Sequence, residues 1–141
     1  LGQMTDTAAF SRKADQTLAA FSRVLTAAPH AMPQMMAAFD FHLDNPKQIV
    51  IAGNPDAPDT CAMIRAVHER FIPGKILLLA DGSAGQKSLA LHNEFIGSVK
   101  MIDGKATAYV CQNYVCQLPA IDIGTMTKLL GPQDEDTGKH P

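Results

Sequence analysis

The sequence has no cluster of basic residues and no long hydrophobic run. Twelve Lys and Arg stand against fourteen Asp and Glu, a net charge of −2 over 141 residues. A nucleic-acid or anionic-membrane surface needs a local excess of positive charge. The longest aliphatic run is ILLLA at 76–80, far short of the roughly 20 residues that cross a bilayer. We therefore expect neither nucleic acid nor a membrane among the partners.

Cysteine is also scarce, with three residues at Cys61, Cys111 and Cys116. An odd number does not make the disulfide framework of a small secreted domain. Charges scattered through the first helical pattern replace the continuous apolar segment of a signal peptide. We therefore expect a cytoplasmic protein. Because the chain begins with Leu1 rather than Met, we also expect it to be a fragment whose missing part lies upstream.

Residues 1–46 carry two amphipathic helical patterns. Apolar residues recur every three or four positions over 5–27, and again over 32–43 after Pro29. The short link predicts an antiparallel helical hairpin. Its two apolar stripes are too extensive to cover each other, so the hairpin needs another surface. In the isolated chain we expect self-association through an exposed stripe that includes Phe10, Leu18, Phe21 and Met36.

Residues 47–131 predict a small α/β module with a mixed sheet. Two aliphatic runs, at 49–52 and 75–80, have the length of buried strands, and the helical pattern at 58–71 makes them a parallel β-α-β unit. The remaining predicted elements are a helix near 87–94, strands 99–102 and 106–111 around the turn Asp103-Gly104, and a last helix from Asp122 through Leu130. The fold class is therefore α/β, a helical hairpin followed by the order β-α-β-α-β-β-α. The polar residues 132–141 are expected to be a disordered tail.

Cys111 and Cys116 form the first candidate site. Residues five apart face opposite sides of an unbroken strand, so the sulfurs meet only if the chain turns over 112–114, which Asn113 favours. The C-x4-C spacing lacks the helix-terminal thiolate of a C-x-x-C motif. No second Cys or His pair has the spacing of zinc ligands. We favour two reduced, largely buried thiols over a reversible disulfide acting as a redox pair, and we expect no metal.

Two further positions could bind a ligand. The loop GNPDAPD at 53–59 lies at the carboxyl end of a parallel strand, where open α/β sheets bind ligands. Its Asn54 and Asp56 could hold a cation or sugar hydroxyls, although turn formation and helix capping by Asp56 explain the same residues. His30 could point into a cavity from the start of the second helix. The loop DGSAGQKS at 81–88 fails the phosphate-binding pattern because Gln86 replaces its second glycine, so we expect no cofactor.

Three stretches, VIAGNPDAPDT, KILLLADG and DGKATAYVCQNYVCQLPAID, resemble the carboxyl-terminal region of one family. These are the thioredoxin-domain proteins related to spermatogenesis-associated protein 20. The resemblance covers about residues 28–130 and is most specific in the pattern AYVC-x4-C-x-x-P. The second helix, PHAMPQMMAAFDF, is similar to the last barrel helix of that family.

The resemblance implies a larger parent protein. Family members carry a thioredoxin-like domain and an (α/α)6 toroid similar to those of N-acylglucosamine 2-epimerases and glycosidases, so residues 1–46 would be the closing hairpin of the toroid. The role implied first is structural and non-catalytic, with the missing upstream domains as partners. The competing role is enzymatic, in thiol redox or sugar modification. Cys111 and Cys116 would then be an accessory redox pair, or His30 would line the sugar cavity.

Overall fold

The computed structural model describes residues 2–5, 7–44, 46–112 and 115–131. A short helix, α1, precedes two longer helices and then a succession of strands and helices. The elements are α1 (Gly2–Thr5), α2 (Ala8–Ala27), a 3-10 turn (Pro29–Ala31), α3 (Pro33–Leu43), β1 (Gln48–Ala52), α4 (Pro58–His68), β2 (Ile76–Ala80), α5 (Ala84–Ala90), α6 (Glu94–Ser98), β3 (Thr107–Gln112), β4 (Val115–Cys116) and α7 (Ile123–Leu130).

The four strands form one mixed sheet in the order β2-β1-β3-β4. β1 pairs in parallel with β2 and antiparallel with β3, so it lies at the centre. Ile49, Val50 and Ile51 are completely buried, because helices cover both faces of this strand. Burial on both faces explains why the strand reads as a continuous aliphatic run without polar alternation. The predicted α/β fold class and its parallel β-α-β unit are confirmed.

Successive side chains of β1 point to opposite faces of the sheet. They therefore pack into two separate cores. On one face Ile49 and Ile51 pack with Met63 of α4 and Met126 of α7. On the other face the core includes Val50, Ala52, Leu78, Ala80, Ile96 and Val99, with Met4 of α1 packed against it. The predicted domain boundary at residue 46 stays a prediction, although α1 contacts the sheet module: Asn93 Nδ2 donates to the Met4 carbonyl at 3.4 Å.

The predicted helix at 87–94 is wrong in its bounds, since two short helices occupy this region. Ser83 caps α5 by accepting hydrogen bonds from the Gly85 and Gln86 amides. Asn93 is the N-cap of α6, where its side chain accepts the Phe95 amide at 3.1 Å. A good N-cap residue in the middle of a helical pattern therefore divided it.

The predicted strand at 99–102 is also wrong. The Asp103-Gly104 turn is present, with both residues at positive φ, but it closes only one bridge, between Ile102 and Lys105. Side chains of β3 take the backbone groups that a ladder would use. The Tyr109 hydroxyl donates to the Lys100 carbonyl at 2.7 Å, and Thr107 Oγ1 accepts the Ile102 amide at 2.9 Å. The hairpin of the sheet is β3–β4 instead.

The last helix, α7, agrees with its prediction and is held at both ends. Asp122 Oδ1 accepts the Thr125 amide at 2.8 Å. Lys47 Nζ donates to the Leu130 carbonyl at 2.5 Å, and the Arg70 guanidinium donates to the Gly131 carbonyl. Cations at a helix carboxyl terminus interact favourably with the unpaired carbonyls and the helix dipole. The tail predicted to be disordered, 132–141, lies outside the described residues.

Two threonines, Thr60 and Thr107, are completely buried within the described part of the chain. Thr107 Oγ1 donates to the Lys105 carbonyl at 3.0 Å as well as accepting from Ile102. Thr60 Oγ1, in contrast, has no hydrogen-bond partner among the described residues. A buried hydroxyl without a partner costs free energy, whereas a bonded one stabilises the fold.

The isosteric changes Thr60→Val and Thr107→Val are therefore expected to have opposite signs. Thr60→Val should raise the free energy of unfolding by about 1 kcal/mol, and Thr107→Val should lower it by about 1–3 kcal/mol. Urea unfolding followed by circular dichroism measures both. Equal losses in the two variants would contradict the assigned hydrogen bonding of Thr60.

Candidate functional site

The chain reverses between Gln112 and Val115, and this turn brings the two candidate cysteines together. In the β3–β4 register Cys111 lies opposite Cys116 and Gln112 lies opposite Val115. The sulfurs are joined in a disulfide of 2.03 Å, with the Cα atoms 3.9 Å apart. Directly opposite residues of an antiparallel pair project to the same face, so the register accounts for the bond. The sulfurs are therefore bonded and are not the two reduced thiols favoured from the sequence, while a reversible redox role of the pair stays a prediction. Asn113, which is expected in a turn from the sequence, lies outside the described residues.

The two halves of this disulfide differ in exposure. Cys111 is 3% exposed, because β3 lies between β1 and β4 and Cys111 pairs with Gln48 on its other side. Cys116 is exposed on the edge strand. The expectation that both sulfurs are largely buried is therefore wrong for Cys116. One cysteine of the pair belongs to the sheet interior and the other is exposed to solvent.

The edge of the sheet continues past β4 with a bulge. The Gln117 amide donates to the Val110 carbonyl at 3.0 Å, while Ala108 and Ala120 exchange hydrogen bonds of 2.8 and 2.9 Å. Two residues, Leu118 and Pro119, therefore stand opposite the single residue Tyr109. A bulge with a proline disrupts the ladder and limits pairing with a further strand. β4 therefore forms a two-residue ladder with β3. The disulfide links the two strands covalently, and the ladder ends at the bulge.

The loop at the carboxyl end of β1 is organised by different residues than expected. Asn54 Oδ1 accepts the Asp56 amide at 3.0 Å, and both side chains are exposed. The predicted capping by Asp56 is wrong, since Ala57 occupies the N-cap position without a side-chain bond. Asp59, in the first turn of α4, accepts a backbone amide at this helix end instead. Ligand binding at Asn54 and Asp56 stays a prediction.

Asp59 joins α4 to the start of β3, a contact that the sequence did not reveal. Its Oδ1 accepts the Thr60 amide at 2.9 Å and its Oδ2 accepts the Ala106 amide at 2.8 Å. The Ala106 and Thr60 amides hold the pKa of the Asp59 carboxyl below its usual range, since these bonds favour the charged form. An acidic residue in the first helical turn was the one available signal. Its partner lies 47 residues away in the chain.

His30 and Cys61 lie outside the strands that hold the cysteine pair. His30 is exposed on the 3-10 turn, and its role in lining a cavity stays a prediction. Cys61 is a free, exposed thiol that donates to the Pro55 carbonyl at 3.2 Å. Within the described ranges no three His, Cys, Asp or Glu residues are grouped to hold a metal ion. None of the helices in those ranges combines the length and apolar character needed to cross a membrane.

The helical hairpin leaves much of its apolar surface uncovered. α2 buries Leu25 and half-buries Leu18, and His42 Nδ1 of α3 lies 3.6 Å from Asp15 Oδ1 of α2. The adjoining side of α2, which we call the α2 face, remains open. Its large apolar members are Phe10 (43% exposed), Phe21 (40%) and Val24 (46%). These positions share one side of the helix, because eleven residues complete three turns. On α3, Phe39, Phe41 and Leu43 are exposed as well.

No protein-family model and no solved structure matches the sequence. Curated relatives do match. The chain is 39% identical over 115 residues to spermatogenesis-associated protein 20 of Homo sapiens, 37% identical over 113 residues to that of Rattus norvegicus, and 36% identical over 113 residues to that of Mus musculus. The match covers 80–82% of this chain and 14% of each relative. The chain therefore spans about one seventh of the length of these relatives.

Proposed function

Because the chain is related in sequence to spermatogenesis-associated protein 20, we propose that it is a carboxyl-terminal, non-catalytic module of a larger protein. Its α/β part is the stable body of the module. Its helical hairpin packs against neighbouring helices of the same larger protein. The module thereby closes a helical domain and offers a surface between domains.

The observation that carries this proposal is the open α2 face. The sheet module has a buried core on both faces of β1, where Ile49 and Val50 are fully buried, although single apolar side chains such as Phe71 and Leu91 are exposed on it. In the hairpin, α2 buries Leu25 and leaves two phenylalanines on one side of the helix at least 40% exposed. Large apolar surfaces of this kind mark interaction sites. A chain that completes one core and leaves a helix face open is suited to packing against another folded surface.

The occupant we propose is a pair of helices belonging to the rest of the larger protein. The matched segment is 14% of each relative, so the rest of such a protein supplies enough chain to form this neighbour. The resemblance of PHAMPQMMAAFDF to a barrel helix favours a helical neighbour over a sheet. Helix-on-helix packing also suits the α2 face, because side chains at three- and four-residue intervals form the ridges that interlock with a second helix.

Amide hydrogen exchange of the isolated chain tests this proposal. A face that normally meets other helices should instead meet a second copy, so protection of α2 should increase about tenfold between low and high micromolar protein. β1, which is buried within each copy, should show no such dependence. Protection of α2 that is independent of protein concentration would count against the proposal.

A further inference from the structure

We propose that the Cys111–Cys116 disulfide is a thiol–disulfide exchange site, opened and closed by a low-molecular-weight thiol of the glutathione type. Cys116 Sγ is the sulfur that the incoming thiolate attacks, and Cys111 Sγ is the leaving sulfur. The exchange controls the pairing of the edge strand β4. This inference is independent of the packing role of the helical hairpin.

The different exposure of the two cysteines favours attack on one sulfur over the other. Cys116 lies on the edge strand and is exposed, whereas Cys111 is 3% exposed and flanked by β1. The rate of thiol–disulfide exchange depends on access to the sulfur as well as on thiol pKa values. A thiolate can therefore approach Cys116 from solvent without displacing any strand. An approach to Cys111 would require β4 to leave first.

The exchange proceeds in two steps. A glutathione thiolate attacks Cys116 Sγ, forming a mixed disulfide while the Cys111–Cys116 bond breaks and its electron pair goes to Cys111 Sγ. The Cys111 thiolate takes a proton, since burial disfavours its charge. A second glutathione thiolate then attacks the glutathione sulfur of the mixed disulfide and releases the Cys116 thiolate, which takes a proton from water. The protein gains two electrons and two protons, and two glutathione molecules leave as one oxidised dimer.

The position of the pair limits the structural consequence to the sheet edge. β3 has a five-residue register with β1, Gln48 to Ala52 against Cys111 to Thr107, in which β4 takes no part. β4 has only the register pairs Cys111–Cys116 and Gln112–Val115 before the bulge at Leu118 and Pro119. The disulfide is thus the strongest link between β4 and the sheet. Opening it frees a short segment that carries the exposed side chains Val115 (70%) and Leu118 (87%).

The first test locates the attacked sulfur. The chain is prepared with Cys61→Ser, because the exposed free thiol would otherwise exchange with the pair. It is incubated with reduced glutathione without denaturant, quenched with acid, alkylated and digested with trypsin. The peptide 106–128 contains both cysteines, and fragmentation by mass spectrometry places the glutathione. We expect at least tenfold more mixed disulfide on Cys116 than on Cys111. Equal labelling, or a bond that opens only in denaturant, would overturn the proposal.

The second test measures the structural response by amide hydrogen exchange. Reduction should accelerate exchange at residues 115–117 at least tenfold and leave β1 unchanged. Cys116→Ser, in the same Cys61→Ser background, should show the fast exchange without any reductant. Acceleration in β1 as well would make the disulfide a general staple of the fold, and no change at 115–117 would remove the coupling to β4. Either result would overturn the proposed control of the edge strand.

Discussion

Replacing Gly53 with alanine is expected to lower the free energy of unfolding by about 3 kcal/mol. Gly53 follows β1 directly and is buried, and its amide donates to the Ala80 carbonyl of β2 at 3.1 Å. A Cβ atom at this position would lie 2.2 Å from Thr60 Oγ1 and 3.0 Å from Thr60 Cγ2. The threonine cannot turn away easily, because it is β-branched, fully buried and part of α4. The clash therefore displaces either the helix or the end of the strand.

A matched control and a second-site change separate this clash from a general effect of alanine. Gly85→Ala places its Cβ at an ordinary 3.4 Å from Ser83 Oγ within α5, and should stabilise the chain by about 0.5–1 kcal/mol. Thr60→Ala should recover part of the loss caused by Gly53→Ala, since it removes both close atoms. Thermal or urea unfolding is measured for the unaltered chain, for Gly53→Ala, for Gly85→Ala and for the double variant Gly53→Ala/Thr60→Ala. A Gly53→Ala variant as stable as Gly85→Ala would contradict the packing of α4 on the end of β1.

Replacing Phe21 with glutamate is expected to weaken self-association of the isolated chain about a hundredfold. Phe21 is central in the α2 face, between Phe10 and Val24. Truncation of a central aromatic anchor commonly costs 2 kcal/mol or more in binding, and glutamate adds the cost of removing a charge from water. The change should leave the unfolding of the α/β module nearly unaffected, within about 0.5 kcal/mol, because Phe21 is a surface residue in a single copy.

Leu118→Glu serves as the control for this substitution. Leu118 is 87% exposed and lies beside β3, at the opposite edge of the sheet from β2. Like Phe21→Glu, this substitution places one negative charge at an exposed apolar residue, but outside the hairpin. Sedimentation equilibrium over a range of concentrations should give an unchanged association constant for Leu118→Glu. If both variants weakened association equally, general charge repulsion would explain the result and the α2 face would not.

The fold was predictable where residues act through periodicity and local burial. The aliphatic runs of β1 and β2 and the capped helix α7 follow directly from sequence patterns. The errors arose where a side chain bonded to the backbone, locally in one case and across segments in the other. Asn93 divided the predicted helix by capping α6. Tyr109 bonded to the carbonyl of Lys100 and so replaced the ladder that the Asp103-Gly104 turn had suggested.

The sequence predicted how the two cysteines can meet, but it did not predict that they are bonded or that they differ in exposure. Sequence spacing showed that Cys111 and Cys116 can meet only through a turn, and the β3–β4 hairpin provides it. Their different exposure depends on which strand lies at the edge, and that order is a long-range property of the sheet. The same holds for α2. Helical periodicity identified its stripe, but which residues of the stripe are covered is a tertiary property, since Leu25 is buried while Phe21 stays exposed.

Sedimentation velocity of the unaltered chain, combined with circular dichroism at the same concentrations, tests the proposed interdomain role most directly. The account predicts that the sedimentation coefficient rises with concentration while helix content remains that of a chain with α2 and α3 folded. A strictly monomeric chain at high concentration, with both helices folded, would contradict it. The α2 face would then be stable in water without a neighbour, and the module would not need a larger protein to cover it.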